Sequence, residues 1–313
     1  MAIIETSALT RDYRRRRGTL RALDALDLSV RAGEAIGYLG ANGSGKSTTI
    51  KLLTGILTPT AGTVRTCGLD PVPARRRLAR RIGVVFGQRS VLWWDLPLWD
   101  SFAILAAMHR LPEGVWRPRV AMLVEELALG EFLAQPVREL SLGQRMRGEI
   151  AAALVHAPEL LVLDEPTIGL DVLSKNALRE FLQRERNERG TTLFLTTHDL
   201  GDVQRLCERM VIIDHGRAAF DGTAADLARV TGAERVLVAD LAEPVDSLDL
   251  PPGARLDAVE AAGHRVRLSF RPGEVSAAAL FASVAGQARV DDLTLTEPAI
   301  EDLVARIYTR SAE

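Results

Sequence analysis

The chain has 313 residues, of which 47% are hydrophobic and 26% are charged, and its formal net charge is -2. This length and apolar content are sufficient for one large globular domain and a smaller second one. A net charge close to zero excludes the overall basic field that is typical of nucleic-acid-binding proteins, so no nucleic-acid partner is expected.

The sequence contains no pattern of a signal peptide or of a membrane-spanning helix. Residues 1–5 lack a basic stretch followed by an apolar core, and no apolar run approaches the roughly 20 residues that cross a bilayer. We therefore expect that the chain does not itself enter a membrane. Cys67 and Cys207 lack the spacing of metal ligands, and we expect both to be buried, reduced thiols in a cytosolic protein.

The chain begins with two predicted strands, over residues 2–9 and 22–30. Between them lies a run of arginines, 14–17, followed by a glycine, and this run is too charged for the core. It predicts a solvated loop, and a second interpretation is a contact with acidic lipid headgroups. Tyr13 stands just before the run. Its ring could stack on an adenine, although a lone aromatic is more often a core residue.

Residues 40–48, with the sequence GANGSGKST, match the phosphate-binding pattern GxxxxGK[ST]. In such a loop the glycine backbone wraps closely around an anion, a lysine supplies a cation and a hydroxyl faces the metal. A predicted buried strand over residues 34–39 precedes the loop, and a predicted helix that begins at Thr49 follows it. A glycine-rich turn that binds nothing is the alternative, and the flanking elements favour the phosphate site. The residues of the loop that enter the candidate site are Gly40, Asn42, Gly43, Ser44, Gly45, Lys46, Ser47 and Thr48.

The next part of the chain changes from an α/β pattern to a helical one. A strand is predicted near residues 62–66, an arginine-rich helix over 74–81 and a buried strand over 82–86. From about residue 90 to 157 the pattern is helical, with helices over 100–110, 115–129 and 145–156. We interpret this stretch as a helical insertion into an α/β core. Trp93, Trp94 and Trp99 cluster at its entrance, and they are either core residues or a docking surface.

The segment LSLGQ, residues 140–144, precedes the last of these helices. Ser141 and Gln144 have the spacing of a capping box, which needs no ligand. A helix N-terminus that contains glycine can also bind an anion, so a second phosphate-binding site is the other interpretation.

Residues 160–163 form an uninterrupted apolar run that is typical of a central parallel strand, and the run ends in Asp164 and Glu165. Carboxylates at the carboxyl end of such a strand lie where ligands bind in open α/β sheets. Asp164 could hold Mg²⁺ through water, and Glu165 could orient or deprotonate an attacking water. From these residues alone, a solvated acid pair is about as good an interpretation.

The alternating pattern continues with a helix over 172–189 and strands over 192–196 and 210–213. Between those strands, Asp199 is a predicted helix cap, and His198 alone predicts a structural role. Beyond about residue 230 the pattern predicts a small α+β module. Its predicted strands lie near 234–241, 264–270 and 288–295, and its predicted helices near 274–285 and 298–309. The module contains no chemical motif, and we expect it to be regulatory or to stabilise a dimer.

Taken together, these motifs resemble the nucleotide-binding subunit of ATP-binding-cassette (ABC) transporters, over roughly residues 2–228. The motifs that occur in the family's order and spacing are the phosphate loop, Gln88, residues 141–144, Asp164-Glu165, residues 169–171 and His198. The resemblance implies an α/β fold with a P-loop NTPase core, in which a mostly parallel sheet has flanking helices and an antiparallel edge subdomain. It implies an ATP-binding domain over residues 1–230, with its helical subdomain at about 90–157, and an accessory α+β domain over 231–313.

The resemblance also implies ATP as the substrate, Mg²⁺ as the cofactor and a role for each matched residue. Lys46 and the loop amides would hold the β- and γ-phosphates, Ser47 would bind Mg²⁺, and Thr48 would lie by the α-phosphate. Gln88 would reach the metal and the attacking water, and Tyr13 would stack on the adenine. Asp164 would bind the metal together with Ser47 and Gln88.

The remaining implied roles concern catalysis and a second subunit. Glu165 is the implied general base, and His198 contacts the γ-phosphate. In the family, Ser141 and Gly143 contact the nucleotide of the other subunit across a head-to-tail dimer, and Gln144 and Asp171 are grouped with them. Leu142 departs from the commonest family pattern, which has glycine at this position.

The stretches 86–102, 168–172 and 297–302 are similar to ATPase subunits of type-2 exporters, whose permease is a separate protein. This similarity implies drug or toxic-cation efflux, a second ATP-binding subunit that is identical or a paralogue, and a peripheral location on the cytoplasmic side of the cell membrane.

Two alternatives belong to the same family. The first is a soluble ATPase that acts on nucleic acid or the ribosome. Against it, about 95 positions without sustained heptads separate Lys46 from Ser141, and the chain carries one cassette. The second is a non-hydrolysing regulatory cassette, which the presence of both Glu165 and His198 disfavours.

Overall fold

The computed structural model describes residues 1–16, 18–87, 90–197 and 199–311. The chain divides into two compact units, residues 1–221 and 222–313. The domain boundary near residue 230 remains a prediction. The strands that begin in the first unit are β1 (Ala2–Arg15), β2 (Gly18–Arg31), β3 (Ala35–Gly40), β4 (Ala61–Thr66), β5 (Ile82–Phe86), β6 (Leu160–Asp164), β7 (Thr192–Thr196), β8 (Arg209–Asp214) and β9 (Arg217–Gly222). Its α-helices are α1 (Lys46–Leu53), α2 (Arg75–Leu78), α3 (Leu98–His109), α4 (Glu113–Glu126), α5 (Leu142–Leu154), α6 (Val172–Arg189) and α7 (Leu200–Leu206).

The main layer of the first unit is a six-stranded sheet in the order β5-β6-β7-β3-β8-β9. The pairs from β5 to β8 are parallel. Strand β6 shows why these strands are apolar throughout. Leu161 and Leu163 belong to the core that contains the helical insertion, whereas Leu160 and Val162 belong to the core that contains α1 and the antiparallel sheet. Because both faces are covered, the strand is a continuous apolar run, as predicted.

An antiparallel sheet in the order β2-β1-β4 forms the edge subdomain. Its first two strands are longer than the predicted ranges 2–9 and 22–30, and they continue up to Arg15 and from Gly18. Side chains near this hairpin end are exposed, so the strands can carry charged residues at successive positions there. The apolar alternation therefore stops before the strands do.

The helical insertion contains α3, α4 and α5, as predicted. Trp99 lies in the first turn of α3 and its ring contacts Trp116 of α4, with 5.4 Å between ring centroids. Trp94, by contrast, is 51% exposed. The tryptophans are thus partly core and partly surface. The predicted helix over 74–81 is shorter than expected, since α2 is a single turn. No helix within the described ranges is long and apolar enough to cross a bilayer.

The second unit has a four-stranded antiparallel sheet in the order β11-β12-β10-β13. Its elements are α8 (Ala224–Val230), β10 (Arg235–Leu241), β11 (Ala254–Glu260), β12 (Arg265–Phe270), α9 (Ala277–Ala285), β13 (Val290–Thr296) and α10 (Ile300–Ser311). Its core contains Leu237, Leu268 and Leu280. The predictions missed β11, whose sequence ARLDAVE has no fully buried residue, as an edge strand allows.

The predicted fold class is confirmed. The mostly parallel sheet with flanking helices, the antiparallel edge sheet, the helical insertion and the small α+β unit are all present in the described residues. Both cysteines are free thiols. Cys67 is buried, as predicted, whereas Cys207 is only half-buried, so the prediction of burial is wrong there.

Candidate nucleotide-binding site

The phosphate loop connects the end of β3 to the start of α1, as predicted. Gly45 has a φ of 117°, and a Cβ added there would lie 2.7 Å from the carbonyl oxygen of Ala22. A Cβ on Gly40 would lie 2.7 Å from the carbonyl oxygen of Ile213. Glycine is therefore required at both positions by conformation or close packing. The Ser44 hydroxyl is buried in this loop and has no hydrogen-bond partner among the described residues. A buried polar atom without a partner is what a loop that binds a polar ligand would contain.

Lys46 begins α1 and is held inside the loop. Its Nζ donates hydrogen bonds to the carbonyl oxygens of Gly40 at 2.6 Å and Ala41 at 3.1 Å. Burial lowers the pKa of this ammonium, and the nearby carboxylates of Glu165 and Asp164 oppose that shift. The loop thus contains a largely buried cation close to two acids.

The two acids are placed by the parallel pairing of β6 and β7. Asp164 lies opposite Thr196, whose Oγ1 donates a hydrogen bond of 2.5 Å to Asp164 Oδ1. The N–H of Glu165 donates to the carbonyl oxygen of Thr196 at 2.9 Å. Glu165 has a φ of 56°, in the left-handed region that non-glycine residues seldom adopt. Such a backbone turn at a strand end is common where a side chain is directed into a functional site.

A single cavity of about 800 Å³ connects these groups. This volume is within the usual range for small-molecule sites. The predicted site residues that line it are Tyr13, Asn42, Gly43, Gly45, Lys46, Ser47, Thr48, Asp164 and Glu165. Residues that sequence reasoning missed also line it, among them Leu20, Ile56 and Met146. Leu20 pairs directly with Tyr13 across the hairpin, which only the strand register could have predicted.

Two predicted residues cannot be placed. Gln88 and His198 lie outside the described residues. The cap predicted beside His198 is confirmed, because Asp199 precedes α7 and its Oδ1 accepts a hydrogen bond of 3.1 Å from the Gly201 N–H.

The segment around Ser141 forms the predicted capping box at the start of α5. The Gln144 N–H donates to Ser141 Oγ at 3.2 Å, and the Ser141 N–H donates to Gln144 Oε1 at 2.8 Å. Ser141 is exposed, and neither it nor Gly143 or Gln144 lines the cavity of its own chain. Leu142 does line that cavity. The capping interpretation is therefore confirmed, and anion binding at this helix end stays a prediction.

Asp171 also acts as a helix cap. It precedes α6 and accepts hydrogen bonds from the Ser174 Oγ at 2.6 Å and the Ser174 N–H at 2.9 Å, which lower the pKa of the carboxyl. The apolar side chains of Val172 and Leu173 beside it are 73% and 80% exposed. Large exposed apolar side chains next to a functional segment are typical of contact surfaces.

A buried carboxylate that no motif predicted supports this site from behind. Asp202 is fully buried in α7. Its Oδ2 accepts hydrogen bonds from Thr167 Oγ1 at 2.5 Å and Thr197 Oγ1 at 3.3 Å, and its Oδ1 accepts from Arg179 Nε at 2.7 Å. Thr167 follows the acid pair by two residues, so Asp202 links the loops that follow β6 and β7.

Comparisons with known proteins agree on one family. The family model described as ABC transporter matches residues 23–168. The chain is 35% identical to the daunorubicin/doxorubicin resistance ATP-binding protein DrrA of Streptomyces peucetius, over 96% of this chain and 98% of that protein. It is 37% identical to the Nod factor export ATP-binding protein I of Ralstonia nicotianae, over 75% of this chain and 76% of that protein. Among solved structures, a dimeric ATP-binding cassette in a post-hydrolysis state, bound to ADP and phosphate, is 25% identical with a TM-score of 0.65, covering 70% of this chain and 98% of that one.

Proposed function

This chain belongs to the ABC transporter family, as an ATP-binding and ATP-hydrolysing subunit, and on that basis we propose how its residues bind and hydrolyse ATP. The observation that carries the proposal is the cavity of about 800 Å³ that gathers the phosphate loop, the acid pair and Tyr13. The alternative of an ATPase that acts on nucleic acid gains no support, since the relatives named above are resistance and export proteins.

The triphosphate would bind where the loop offers positive charge and unpaired donors. Lys46 and the backbone N–H groups at the start of α1 would hold the β- and γ-phosphates, because the start of a helix is an anion site. A bound phosphate would supply the partner that the buried Ser44 hydroxyl of this loop lacks. The adenine would lie toward Tyr13 and Leu20, which line the same cavity.

The donor set of the site fits Mg²⁺. Ser47 and Asp164 line the cavity and offer a hydroxyl and a carboxylate oxygen, the hard ligands that this ion prefers. Gln88 would be the third residue that contacts the Mg²⁺. When bound, Mg²⁺ would neutralise negative charge on the phosphates.

In the reaction itself, a water oxygen attacks the γ-phosphorus and the bond from that phosphorus to the β–γ bridging oxygen breaks, which releases ADP and phosphate. Glu165 would orient this water and accept its proton, since its turn at the strand end directs it to the cavity. Lys46 would stabilise the negative charge on the transferring phosphoryl group, and His198 would contact the γ-phosphate.

We assign Ser141 and Gly143, with Gln144 and Asp171, to the nucleotide held by a second subunit. ABC ATPases dimerise, and Ser141 at the start of α5 is exposed and does not line its own cavity. The exposed Val172 and Leu173 beside Asp171 would be covered in such a head-to-tail dimer. The second subunit is an identical copy or a paralogue.

The dimer would drive a separate membrane permease from the cytoplasmic side of the cell membrane, where the chain is peripheral. The transported class would be drugs or other small hydrophobic or cationic compounds. The relatives named above, a drug-resistance protein and an export protein, support drugs and the export direction. Closing and separating two subunits with each ATP gives the two-state motion that a transporter needs.

The substitution Glu165→Gln tests this assignment. It keeps the size of the side chain and removes its ability to accept the proton from water, so ATP should bind while hydrolysis stops and the dimer accumulates. Sedimentation velocity with and without MgATP measures the dimer, and phosphate release measures the hydrolysis. A chain that remains monomeric in ATP, or that hydrolyses ATP at the normal rate, would contradict the proposal.

A further inference from the structure

Helix α5 presents a buried carboxylate to the segment that follows β5. Glu149 lies in this helix and is only 5% exposed. Its Oε1 accepts a hydrogen bond from Ser90 Oγ, and its Oε2 accepts one from the Val91 N–H at 3.1 Å. Both carboxylate oxygens are therefore bonded to residues 90 and 91, which lie shortly after Gln88 in the sequence.

A second charged residue of α5 holds the same segment. Arg145 precedes Glu149 by one helical turn, and its guanidinium lies 5.7 Å from the ring centre of Trp94. Residues four apart share one face of a helix, so both contacts come from one face. Burial raises the pKa of Glu149, whereas the Ser90 and Val91 hydrogen bonds and the charge of Arg145 favour the ionised form. The segment 90–94 is thus attached to α5 at both of its ends.

These contacts adjoin the nucleotide cavity. A smaller cavity of about 220 Å³ is lined by Ser90 and Glu149 together with Trp94 and Arg145. The residues that it shares with the nucleotide cavity are Phe86, Gly87, Leu142 and Met146. The contact between α5 and the segment after β5 therefore lies directly beside the nucleotide cavity.

We propose that Glu149 is a positioning residue that couples the segment after Gln88 to the end of α5 that carries Ser141, and so sets the ATP concentration at which two subunits associate. This inference rests on the proposed function, because it needs Ser141 to reach the nucleotide of a second subunit. The physical reason is that a buried carboxylate cannot release its donors without being left unpaired in an apolar environment. A shift of residues 90 and 91 is therefore transmitted to the helix through Glu149.

The test uses the full chain with Glu165→Gln, so that the ATP-bound dimer is not lost by hydrolysis. Glu149→Gln keeps the side-chain size but removes the negative charge, so the charge-assisted hydrogen bonds from Ser90 and Val91 become weaker neutral ones. Sedimentation velocity over a range of MgATP concentrations measures dimer formation, and a fluorescent ATP analogue at low protein concentration measures binding to the monomer. We expect half-maximal dimerisation to need about tenfold more ATP, because two charge-assisted hydrogen bonds are weakened, with analogue binding changed less than about twofold.

Two further variants separate coupling from general stability. Glu185→Gln is the matched control, since Glu185 is 1% exposed and is bonded to Arg119 at 2.6 Å, away from the segment after β5. It should lower the unfolding temperature without shifting the ATP dependence of dimerisation. Ser90→Ala removes one of these hydrogen bonds from the other side, and the double variant should shift the dimerisation by less than the sum of the two single shifts.

The outcomes are distinct. An unchanged ATP dependence in both Glu149→Gln and Ser90→Ala overturns the coupling while leaving the proposed dimer intact. An equal shift in the Glu185→Gln control also overturns it, because the effect would then follow from lost stability. If the Glu165→Gln chain alone stays monomeric in ATP, the proposed dimer fails and the coupling fails with it.

Discussion

Removing the carboxylate of Asp202 should destabilise the first unit and slow hydrolysis. Asp202 is fully buried and accepts hydrogen bonds from Thr167, Thr197 and Arg179. The side chain of Arg179 is itself only 11% exposed, so Asp202→Ala leaves a buried cation without its main partner. The same change releases the two threonines in the loops that follow β6 and β7, beside Glu165 and His198.

The expected size of the effect follows from these contacts. Breaking a buried ion pair by removing one partner costs about 3–5 kcal/mol. Arg179 keeps a hydrogen bond of 3.2 Å to Asn176 and lies 3.8 Å from Asp199, so we expect the lower end, about 3 kcal/mol. Asp202→Asn retains an acceptor for Arg179, and the threonine hydroxyls can rotate to accept from its NH₂ group. This variant should lose only about 1–2 kcal/mol.

Urea unfolding monitored by tryptophan fluorescence measures the stability, since all four tryptophans lie in the first unit. Glu208→Ala is the matched control, because Glu208 pairs with Arg186 at 2.8 Å but its side chain is 73% exposed. This substitution should lower the free energy of unfolding by less than about 1 kcal/mol. In both Asp202 variants the turnover number for ATP should fall at temperatures where the chain is folded. A loss for Asp202→Ala no larger than for Glu208→Ala, or an unchanged turnover number, would refute the reasoning.

Three further predictions concern the phosphate loop and a buried histidine. Lys46→Ala should lower the turnover number about a hundredfold or more, measured by phosphate release, because it removes a stabilising positive charge; near-normal hydrolysis would contradict the phosphate-loop assignment. Gly45→Ala should abolish binding of a fluorescent ATP analogue, because the added Cβ would lie 2.7 Å from a backbone carbonyl oxygen. Gly43→Ala is the control and should retain measurable binding. Gly43 also has a positive φ, but an added Cβ would have no atom within 4 Å. Burial, with His109 nearby, lowers the pKa of His156 from 6.5 to about 4. The neutral ring therefore contributes fully to stability above pH 6.5, and about 3 kcal/mol of this contribution is lost as the pH falls toward 4. His156→Gln should make the urea midpoint less dependent on pH in that range. An unchanged pH dependence would contradict this prediction.

The parts of the fold that the sequence predicts are those whose signal is local. The loop of residues 40–48 is defined by glycines that meet backbone atoms directly, and the box of Ser141 and Gln144 closes within one turn. Strand β6 is apolar because both of its faces are covered, so its pattern is readable without knowing its neighbours. Strand β11 was missed because an edge strand buries too few side chains to show an alternation.

The parts of the site that could not be predicted depend on contacts between distant positions. Leu20 reaches the nucleotide cavity only because β1 and β2 place it opposite Tyr13. Met146 of α5 lies in the hydrophobic core, as its spacing predicts, but it also lines the cavity, which its spacing does not predict. Nothing local in the sequence indicates which strand or helix such a residue faces, because that choice is made by the packing of elements far apart along the chain.

The buried acidic residues have different roles, because some support the reaction and others support only the fold. Glu149, Glu185 and Asp202 are all at most 5% exposed, and each is bonded to several donors, as a buried carboxylate must be. Glu185 bonds to Arg119 of α4 and so joins two helices, whereas Asp202 and Glu149 bond to segments beside Glu165 and Gln88. Substituting any of the three should lower stability, but only Asp202 should slow hydrolysis within the assembled site and only Glu149 should raise the ATP needed to assemble it. If burial alone governed these positions, the three substitutions would instead change the turnover number and the ATP dependence in proportion to the stability lost.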